Sequence, residues 1–170
     1  MENKPKKVLL PGGIDNFHDL VTHRDSEGNA CIFVDKTLFI KSFIDSNDKI
    51  TLITRPRRFG KTLTLSMLQH FLAAEVNGNE TKALFDGLAV SKHLETMRYQ
   101  GQHPVIFVTL KDAKGKSFED AFEEVKEALT KLFETHRFLL ESDKVSATQK
   151  STFKLYVKGK ATMCEFIRIS

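Results

Sequence analysis

The chain carries apolar residues at two spacings, and each spacing predicts a different kind of element. Two short runs rich in β-branched residues, 49–54 and 104–110, predict strands, and the second is apolar enough for burial on both faces, as in a parallel sheet. The run 31–34 is a weaker strand candidate. Helical spacing of the apolar positions predicts helical segments at 16–21, 38–44, 63–72, 91–100, 118–140, 147–156 and 161–170. This alternation of strands and helices predicts an α/β fold with a parallel sheet.

Polar residues mark the ends of several of these segments. Asp35 or Thr37 is the predicted N-cap of the helix at 38–44, and Ser117 is the predicted N-cap of the long helix. Asn77–Asn79 is predicted to end the helix at 63–72. The predicted buried face of the long helix consists of Phe118, Ala121, Phe122, Val125, Leu129, Leu132, Phe133, His136 and Leu140.

The composition indicates a folded domain. The chain has 170 residues, of which 41% are hydrophobic, and its 14 Phe exclude wholesale disorder. No apolar run approaches the ~20 residues that a membrane span needs, and no secretory signal is present, so we expect a soluble, cytoplasmic chain without membrane association. We place a flexible segment at 1–13 and one domain at 14–170. Because only two runs are convincing strands, we expect the sheet to be incomplete and the domain to be truncated.

Cysteine and histidine give no indication of a metal site. Cys31 and Cys164 lie far apart among apolar neighbours, which favours two free thiols over a disulfide. The six histidines show no ligand spacing, and we expect each to be structural or on the surface.

A glycine-containing basic loop lies between the strand at 49–54 and the helix at 63–72. The segment consists of Arg55, Pro56, Arg57, Arg58, Phe59, Gly60, Lys61, Thr62 and Leu63. A strand, a loop and a helix in this order are the context of a phosphate-binding loop. Gly60 would let the backbone N–H groups turn towards phosphate oxygens, Lys61 would reach the β- and γ-phosphates, and the Thr62 hydroxyl would ligate Mg²⁺. The loop therefore predicts ATP and Mg²⁺ as ligands.

Arg55 stands where the usual loop pattern has its first glycine. If that position needs a positive φ, a non-glycine residue costs about 1 kcal/mol, and the loop is then strained or differently shaped. The arginines at 55, 57 and 58 have three interpretations: a clamp on the phosphates, a contact to a nucleic-acid backbone, or a solvated basic turn.

Three ordered segments resemble the predicted AAA-ATPase-like family. Residues 53–67 resemble its R-P-R-R-F-G-K-[ST] signature, residues 33–37 (F-V-D-K-T) its Y-V-D-K-T element, and residues 103–112 its strand ending in Lys-Asp. The similarity continues at 153–161. In this family Arg55 is ordinary. The resemblance implies a three-layer P-loop NTPase fold of the STAND/AAA-like kind, often joined to a C-terminal PD-(D/E)XK nuclease-like domain.

The resemblance also implies an acidic Walker B element, which this sequence lacks. No hydrophobic run is followed by Asp-Glu, and Asp112 is the single candidate by sequence context. We therefore expect ATP binding with weak or absent hydrolysis, and the catalytic residues stay unassigned. Two other functions stay open: a non-catalytic remnant or interaction module, and a binder of nucleic-acid phosphates.

The residues Asp35, Lys36 and Thr37 have two interpretations. They could approach the nucleotide, or they could form a helix-capping segment with a salt bridge, and the second is favoured. Thr64 and Ser66, in the helix beyond the loop, are expected on its surface or bonded back to the helix backbone.

Overall fold

A computed structural model describes residues 9–10, 12–111 and 113–162. Its helices are α1 (Phe17–Thr22), α2 (Leu38–Ser46), α3 (Lys61–Leu72), α4 (Leu94–Met97), α5 (Phe118–Thr135) and α6 (Ala147–Val157). Its strands are β1 (Glu75–Val76) and β2 (Asn79–Glu80), and 3₁₀ helices cover Lys82–Phe85, Ala89–Lys92 and Arg137–Leu140. The chain divides into two compact units, Met1–Val105 and Ile106–Ser170.

The small sheet differs from the predicted one. Within the described ranges, β1 and β2 form the sole sheet, an antiparallel pair, so the chain combines helices and strands without a parallel sheet. Residues 49–54 and 104–110 pair with no strand among the described residues, and Ile50 and Ile106 are 88% and 70% exposed. A strand needs a neighbouring strand that bonds its backbone and covers its apolar face, and the described residues supply none to either run.

The weaker strand candidate at 31–34 is reduced to a single bridge. Cys31 pairs with Leu9 in an isolated parallel bridge, in which the N–H of Ile32 donates to the carbonyl of Leu9 at 2.9 Å. Cys31 is a partly buried free thiol, as expected.

An aromatic core organises the first unit. Phe85 stacks on Phe17 with ring centroids 5.0 Å apart and meets the edge of Phe71 at 5.1 Å. All three rings are fully buried, and Ile40 and Val90 join them. The buried residues of this core come from α1, α2, α3 and the two 3₁₀ helices at Lys82–Phe85 and Ala89–Lys92. The core therefore fixes α3 through its middle turns.

The ends of α1 and α3 show what local signals can and cannot predict. The side chain of Asn16 accepts from the N–H of Asp19 and caps α1, close to the predicted boundary. Helix α3 ends at Leu72, five residues before the predicted stop at Asn77. The carbonyl of Leu72 accepts from the N–H of His103 at 3.0 Å, so a distant loop continues the hydrogen bonding there. Asn77 and the following glycine instead take φ of 53° and 77° and form the tight turn between β1 and β2.

The second unit is a pair of helices around a small aromatic cluster. Ser117 and Asp120 exchange hydrogen bonds in a capping box at the start of α5, which confirms the predicted N-cap. Phe133 stacks on Tyr156 with centroids 4.4 Å apart, and Tyr156 is buried. The predicted buried face of α5 is only half-covered: no described residue of α5 is buried, and Phe118 is 62% exposed.

Two further predicted helices are found in part or in full, and several predicted features lie outside the described residues. The helix predicted at 91–100 is the four-residue α4, preceded by a 3₁₀ helix, and the helix at 147–156 is confirmed as α6. Asp112, Cys164, and the segments 1–8 and 163–170 lie outside the described residues. Over the described ranges, no helix is both long enough and apolar enough to cross a bilayer.

Candidate functional site

The basic loop meets α3 at a glycine. Gly60 is the N-cap of α3, with φ 73° and ψ 25°, and its carbonyl accepts from the N–H and the hydroxyl of Thr64 at 2.8 Å and 2.9 Å. A Cβ added to Gly60 would meet nothing within 4 Å, so the positive φ, and not space, requires glycine here. The hydrogen bond of Thr64 confirms the predicted back-bonding. Lys61 and Thr62 thus open the helix at its positive end.

A positive φ occurs in the loop at Arg58 and not at Arg55, so of the two predicted alternatives the loop is differently shaped. Arg58 has φ 65°, whereas Arg55 is not among the described residues with positive φ. Arg58 and Gly60 are therefore two left-handed residues separated by Phe59.

Backbone donors in this loop are free to bind a ligand. The N–H groups of Phe59, Thr62 and Leu63 donate to no acceptor in the part of the chain that the structure describes. The first N–H groups of any helix have no partner inside the helix. At the start of α3 these donors add to the positive helix end.

The Lys61 ammonium is folded over the loop. Its Nζ donates to the carbonyl oxygens of Arg55 and Pro56 at 2.6 Å and 2.9 Å. An ammonium has three donors, so one stays available for another acceptor. The two carbonyls are uncharged, so they position the Lys61 ammonium without neutralising its positive charge.

Positive charge in the loop is not compensated. Arg55, Arg57 and Arg58 are exposed, and none of them pairs with a carboxylate of the described residues. The sequence contains no acidic residue between Asp48 and Glu75. Thr62 is exposed, Phe59 is 60% exposed, and Leu63 packs against the core of the first unit. Anions are therefore attracted to this loop by charge and by backbone donors together.

The residues Asp35 and Thr37 form a closed hydrogen-bond set, which we call the Asp35–Thr37 clamp. The Asp35 carboxylate accepts from the Thr37 N–H at 2.8 Å, from the Thr37 hydroxyl at 2.6 Å and from the Ala89 N–H at 2.6 Å. The Thr37 hydroxyl in turn accepts from the N–H of Val90 at 3.1 Å, and Thr37 is fully buried. The clamp therefore joins the start of α2 to the start of a 3₁₀ helix more than fifty residues later.

The clamp decides between the two interpretations of this segment. Thr37 precedes the first residue of α2 but makes no capping bond with its own side chain, and Asp35 caps the turn instead. Lys36 is exposed and makes no ion pair with a described residue, so the expected salt bridge is absent. The structure thus agrees with the capping interpretation at Asp35, whereas Thr37 does not cap α2 with its side chain.

The environment of Asp35 favours its charged form. Partial burial opposes ionisation, but the hydrogen bonds from Thr37 and Ala89 outweigh it and, with the nearby charge of Lys92, hold the pKa of the carboxyl below its usual value. The carboxylate is thus a stabilising acceptor within the fold.

Ser66 is buried, and not on the helix surface as one interpretation of the sequence had it. Its hydroxyl accepts from the N–H of Phe17, the first residue of α1, at 2.9 Å. His70 places Nδ1 2.8 Å from the carbonyl oxygen of Ser66. Burial is the main cause that lowers the pKa of His70, so the ring is neutral at pH 7. The hydrogen bond between Ser66 and Phe17 could not be predicted from sequence spacing, because the two residues lie 49 positions apart.

Comparisons with known proteins identify the family of the chain. The model of a family described as predicted AAA-ATPase matches residues 11–164. An uncharacterised protein in the vnfD 5′ region of Azotobacter chroococcum mcd 1 is 34% identical over 121 residues, which are 71% of this chain and 20% of that protein. The chain thus spans about a fifth of the length of this curated relative. No solved structure matches the chain. Since the family match covers most of the sequence, the chain belongs to the predicted AAA-ATPase family.

Proposed function

We propose that this chain is an ATP-binding domain whose nucleotide site is the loop Arg55–Leu63. The main support for the proposal is that Lys61 is the first residue of α3. It directly follows Gly60, and both Gly60 and Arg58 have a positive φ. Free N–H groups, a helix N-terminus and uncompensated positive charge then converge on one short segment.

The donor set of the loop fits a triphosphate. Lys61 would give its remaining ammonium donor to the β- and γ-phosphates, and the N–H groups of Phe59 and Thr62 would bind further phosphate oxygens. The exposed Thr62 hydroxyl would ligate Mg²⁺, which usually keeps several waters and substrate phosphates as its other ligands. Bound Mg²⁺ would supply charge neutralisation between the phosphates.

We expect this chain alone to bind ATP without efficient hydrolysis. Its sequence has no apolar run followed by Asp-Glu, the arrangement that supplies a carboxylate for Mg²⁺ and the attacking water. Binding would then act by changing the conformation around the loop. Measured turnover by the wild-type chain, lost in Lys61→Ala, would contradict this part of the proposal.

The finer fold is also part of the proposal. The runs 49–54 and 104–110 leave alternate apolar residues exposed, namely Ile50, Leu52, Ile106, Val108 and Leu110. Alternation of this kind suits strands of a sheet. We propose that these runs are strands of a parallel sheet in a complete P-loop domain, which would be cytoplasmic and, in longer family members, joined to a nuclease-like domain.

A second candidate function is binding of nucleic-acid phosphates. The unpaired guanidinium groups of Arg55, Arg57 and Arg58 favour it, since each can contact a phosphate without losing an ion pair. Such binding would weaken steeply with salt and would need no nucleotide. If neither ligand binds, the remaining interpretation is a non-catalytic interaction module.

Thermal unfolding with and without Mg²⁺-ATP tests the proposal. At an ATP concentration 100 times the dissociation constant, the melting temperature of the wild type should rise by about 5–10 °C. Lys61→Ala should abolish the rise, because the ammonium that faces the phosphates is removed. Lys36→Ala is the matched control, since Lys36 is exposed and unpaired, and it should keep the full rise. An equal loss in both variants would contradict the proposed site.

A further inference from the structure

A cleft of about 510 Å³ lies in the first unit, between the carboxyl end of α2 and the short helix α4. Ile44, Asp45 and Asn47 line it from the end of α2, and Thr96 and Tyr99 line it from α4 and the turn that follows. Its described lining shares no residue with the basic loop. A concave site with an apolar wall and a few polar groups is the usual form of a small-molecule site.

Thr96 is a buried residue of this lining whose hydroxyl is unused. Only 3% of Thr96 is exposed, and its hydroxyl makes no hydrogen bond to any residue that the structure describes. Among those residues, no fully enclosed side-chain oxygen or nitrogen lacks a partner, so the Thr96 hydroxyl opens onto the cleft that the residue lines. Buried hydroxyls are hydrogen-bonded in most proteins, because burial without a partner is unfavourable. This hydroxyl is therefore available to a ligand.

Negative charge and hydrogen-bond acceptors dominate the cleft. Helix α2 has nine residues, and its last turn, the negative end of the helix dipole, contains no basic residue. The Asp45 carboxylate lies in that turn and bonds to Lys41 through Oδ2, which leaves Oδ1 available. Glu95 adds a second carboxylate, and the lining cation Arg98 pairs with it at 2.9 Å. The lining therefore favours a ligand that carries positive charge and donates hydrogen bonds.

Tyr99 and Ile44 supply the apolar part of the cleft. The Tyr99 side chain is partly exposed and stacks on His103 with ring centroids 5.8 Å apart, which holds the ring in place. The face of such a ring attracts a cation. Ile44 is half-buried against the aromatic core of the first unit. The Asn47 carboxamide has no partner in the described ranges and adds an acceptor beside these two residues.

We propose that this cleft binds an alkylammonium group, that is, a primary amine carried on a short methylene chain. The ammonium would donate to the Thr96 hydroxyl, to Oδ1 of Asp45 and to the Asn47 carboxamide oxygen, which match its three donors. The methylene chain would lie against Ile44 and the ring of Tyr99. A free polyamine and the lysine side chain of a peptide share this chemistry.

An NMR titration of the whole chain with two amine probes tests the inference. The probes are putrescine, a free diamine, and Nα-acetyl-lysine amide, which represents a lysine within a peptide. We expect saturable shifts of the amide signals of Asn47, Thr96 and Tyr99, with a dissociation constant on the order of 0.1–1 mM for the tighter probe. The tighter probe identifies the source of the amine. The uncharged diol analogue of putrescine should cause no shift, because it lacks the positive charge.

Substitutions at Thr96 separate ligand binding from folding. Thr96→Val keeps the shape of the side chain and should weaken amine binding about 10-fold, because a hydrogen bond to a charged group is lost. Thr96→Ser keeps the hydroxyl and should stay within about twofold of the wild type. Without ligand, Thr96→Val should melt no lower than the wild type, because the hydroxyl has no partner among the described residues.

A surface substitution tests the same site without altering a buried residue. Asp45→Asn should weaken amine binding about threefold, since the charge is exposed and screened by solvent. Asp48→Asn is the matched control, because Asp48 is an exposed carboxylate outside the lining of the cleft, and it should bind as the wild type does. Lys61→Ala should also bind amines normally, so a failure of the proposed ATP site leaves this test intact.

Several results would overturn the inference. One is the absence of saturable shifts with both amines, and another is equal binding of the diol, which would show that charge is not recognised. Wild-type affinity in both Thr96→Val and Asp45→Asn would place the amine elsewhere. An equal loss in Asp45→Asn and Asp48→Asn would assign the binding to the general negative charge of the surface.

Discussion

The basic loop and the Asp35–Thr37 clamp both carry polar residues that could contact a nucleotide, yet they differ in how their hydrogen bonds are used. In the clamp, the Asp35 carboxylate accepts three hydrogen bonds and the buried Thr37 hydroxyl both donates and accepts. In the loop, the guanidinium groups of the arginines have no partner among the described residues, and the Lys61 ammonium donates to the carbonyls of Arg55 and Pro56. The clamp uses its polar groups to hold the fold, whereas the loop leaves its guanidinium groups and several backbone donors without a partner among the described residues.

This difference gives a physical criterion for a binding site. A buried polar group that is fully satisfied would lose hydrogen bonds on turning to a ligand, which costs about 1–3 kcal/mol for each group left unpaired. An exposed donor exchanges one water contact for one ligand contact at little cost. We therefore expect substitutions in the clamp to lower stability and substitutions in the loop to lower affinity.

The largest effect on stability is expected from Thr37→Val. Valine has nearly the shape of threonine, but it leaves the buried N–H of Val90 without its acceptor and removes one donor to Asp35. We predict a loss of about 2 kcal/mol in the free energy of unfolding. Urea denaturation measures it, and Thr37→Ser, which keeps the hydroxyl, should lose less.

Affinity is the second readout for Thr37→Val. ATP affinity of the folded fraction should stay near that of the wild type, because the clamp does not contact the ligand in this account. A selective loss of affinity with unchanged stability would contradict the assignment of the clamp to the fold.

A smaller effect is expected from Asp35→Asn. Asp35 is exposed and solvent screens its interactions, so we predict a loss of about 1 kcal/mol in the free energy of unfolding at pH 7. Because the folded-state pKa of Asp35 lies below its usual value of 3.8, its ionised form stabilises the protein above that pH, and this contribution is lost as pH falls through the lowered pKa. The Asp35→Asn variant has no such carboxylate, so it should lose less stability than the wild type as the pH falls. Identical acid unfolding curves would contradict the role of the carboxylate.

The smallest expected effect is a loss of stability in mild acid, which we attribute to protonation of His70. Burial lowers its pKa from the usual 6.5, so the unfolded chain binds a proton more readily than the folded one. Stability should therefore be fully present above about pH 6.5 and decline as pH falls below it. In His70→Asn the decline below about pH 6.5 should be reduced, whereas His23→Asn, an exposed control, should keep it. An unchanged profile in His70→Asn would contradict this assignment.

What the sequence predicts well is local. Asn16 and Ser117 cap helices through the N–H three residues ahead, and both ends were predictable from side-chain type and spacing. The loop motif is also local, since Gly60, Lys61 and Thr62 are consecutive. In each case the partners lie within one helical turn, so a short window contains the whole interaction.

What the sequence did not predict depends on distant partners. Ala89 and Val90 complete the clamp from 54 and 53 residues away, and Ser66 reaches Phe17 across 49. The runs 49–54 and 104–110 pair with no strand among the described residues, since propensity alone supplies no neighbouring strand. The positive φ of the loop lies at Arg58 and not at Arg55, because a motif gives residue types but not the sign of φ.

The most direct test of the central claim is a calorimetric titration of the wild-type chain with Mg²⁺-ATP. The account predicts saturable binding of one nucleotide per chain, with a dissociation constant on the order of 1–100 µM and no binding in Lys61→Ala. No measurable binding by the wild type at ATP concentrations on the order of 1 mM would contradict the assignment of the loop as a nucleotide site.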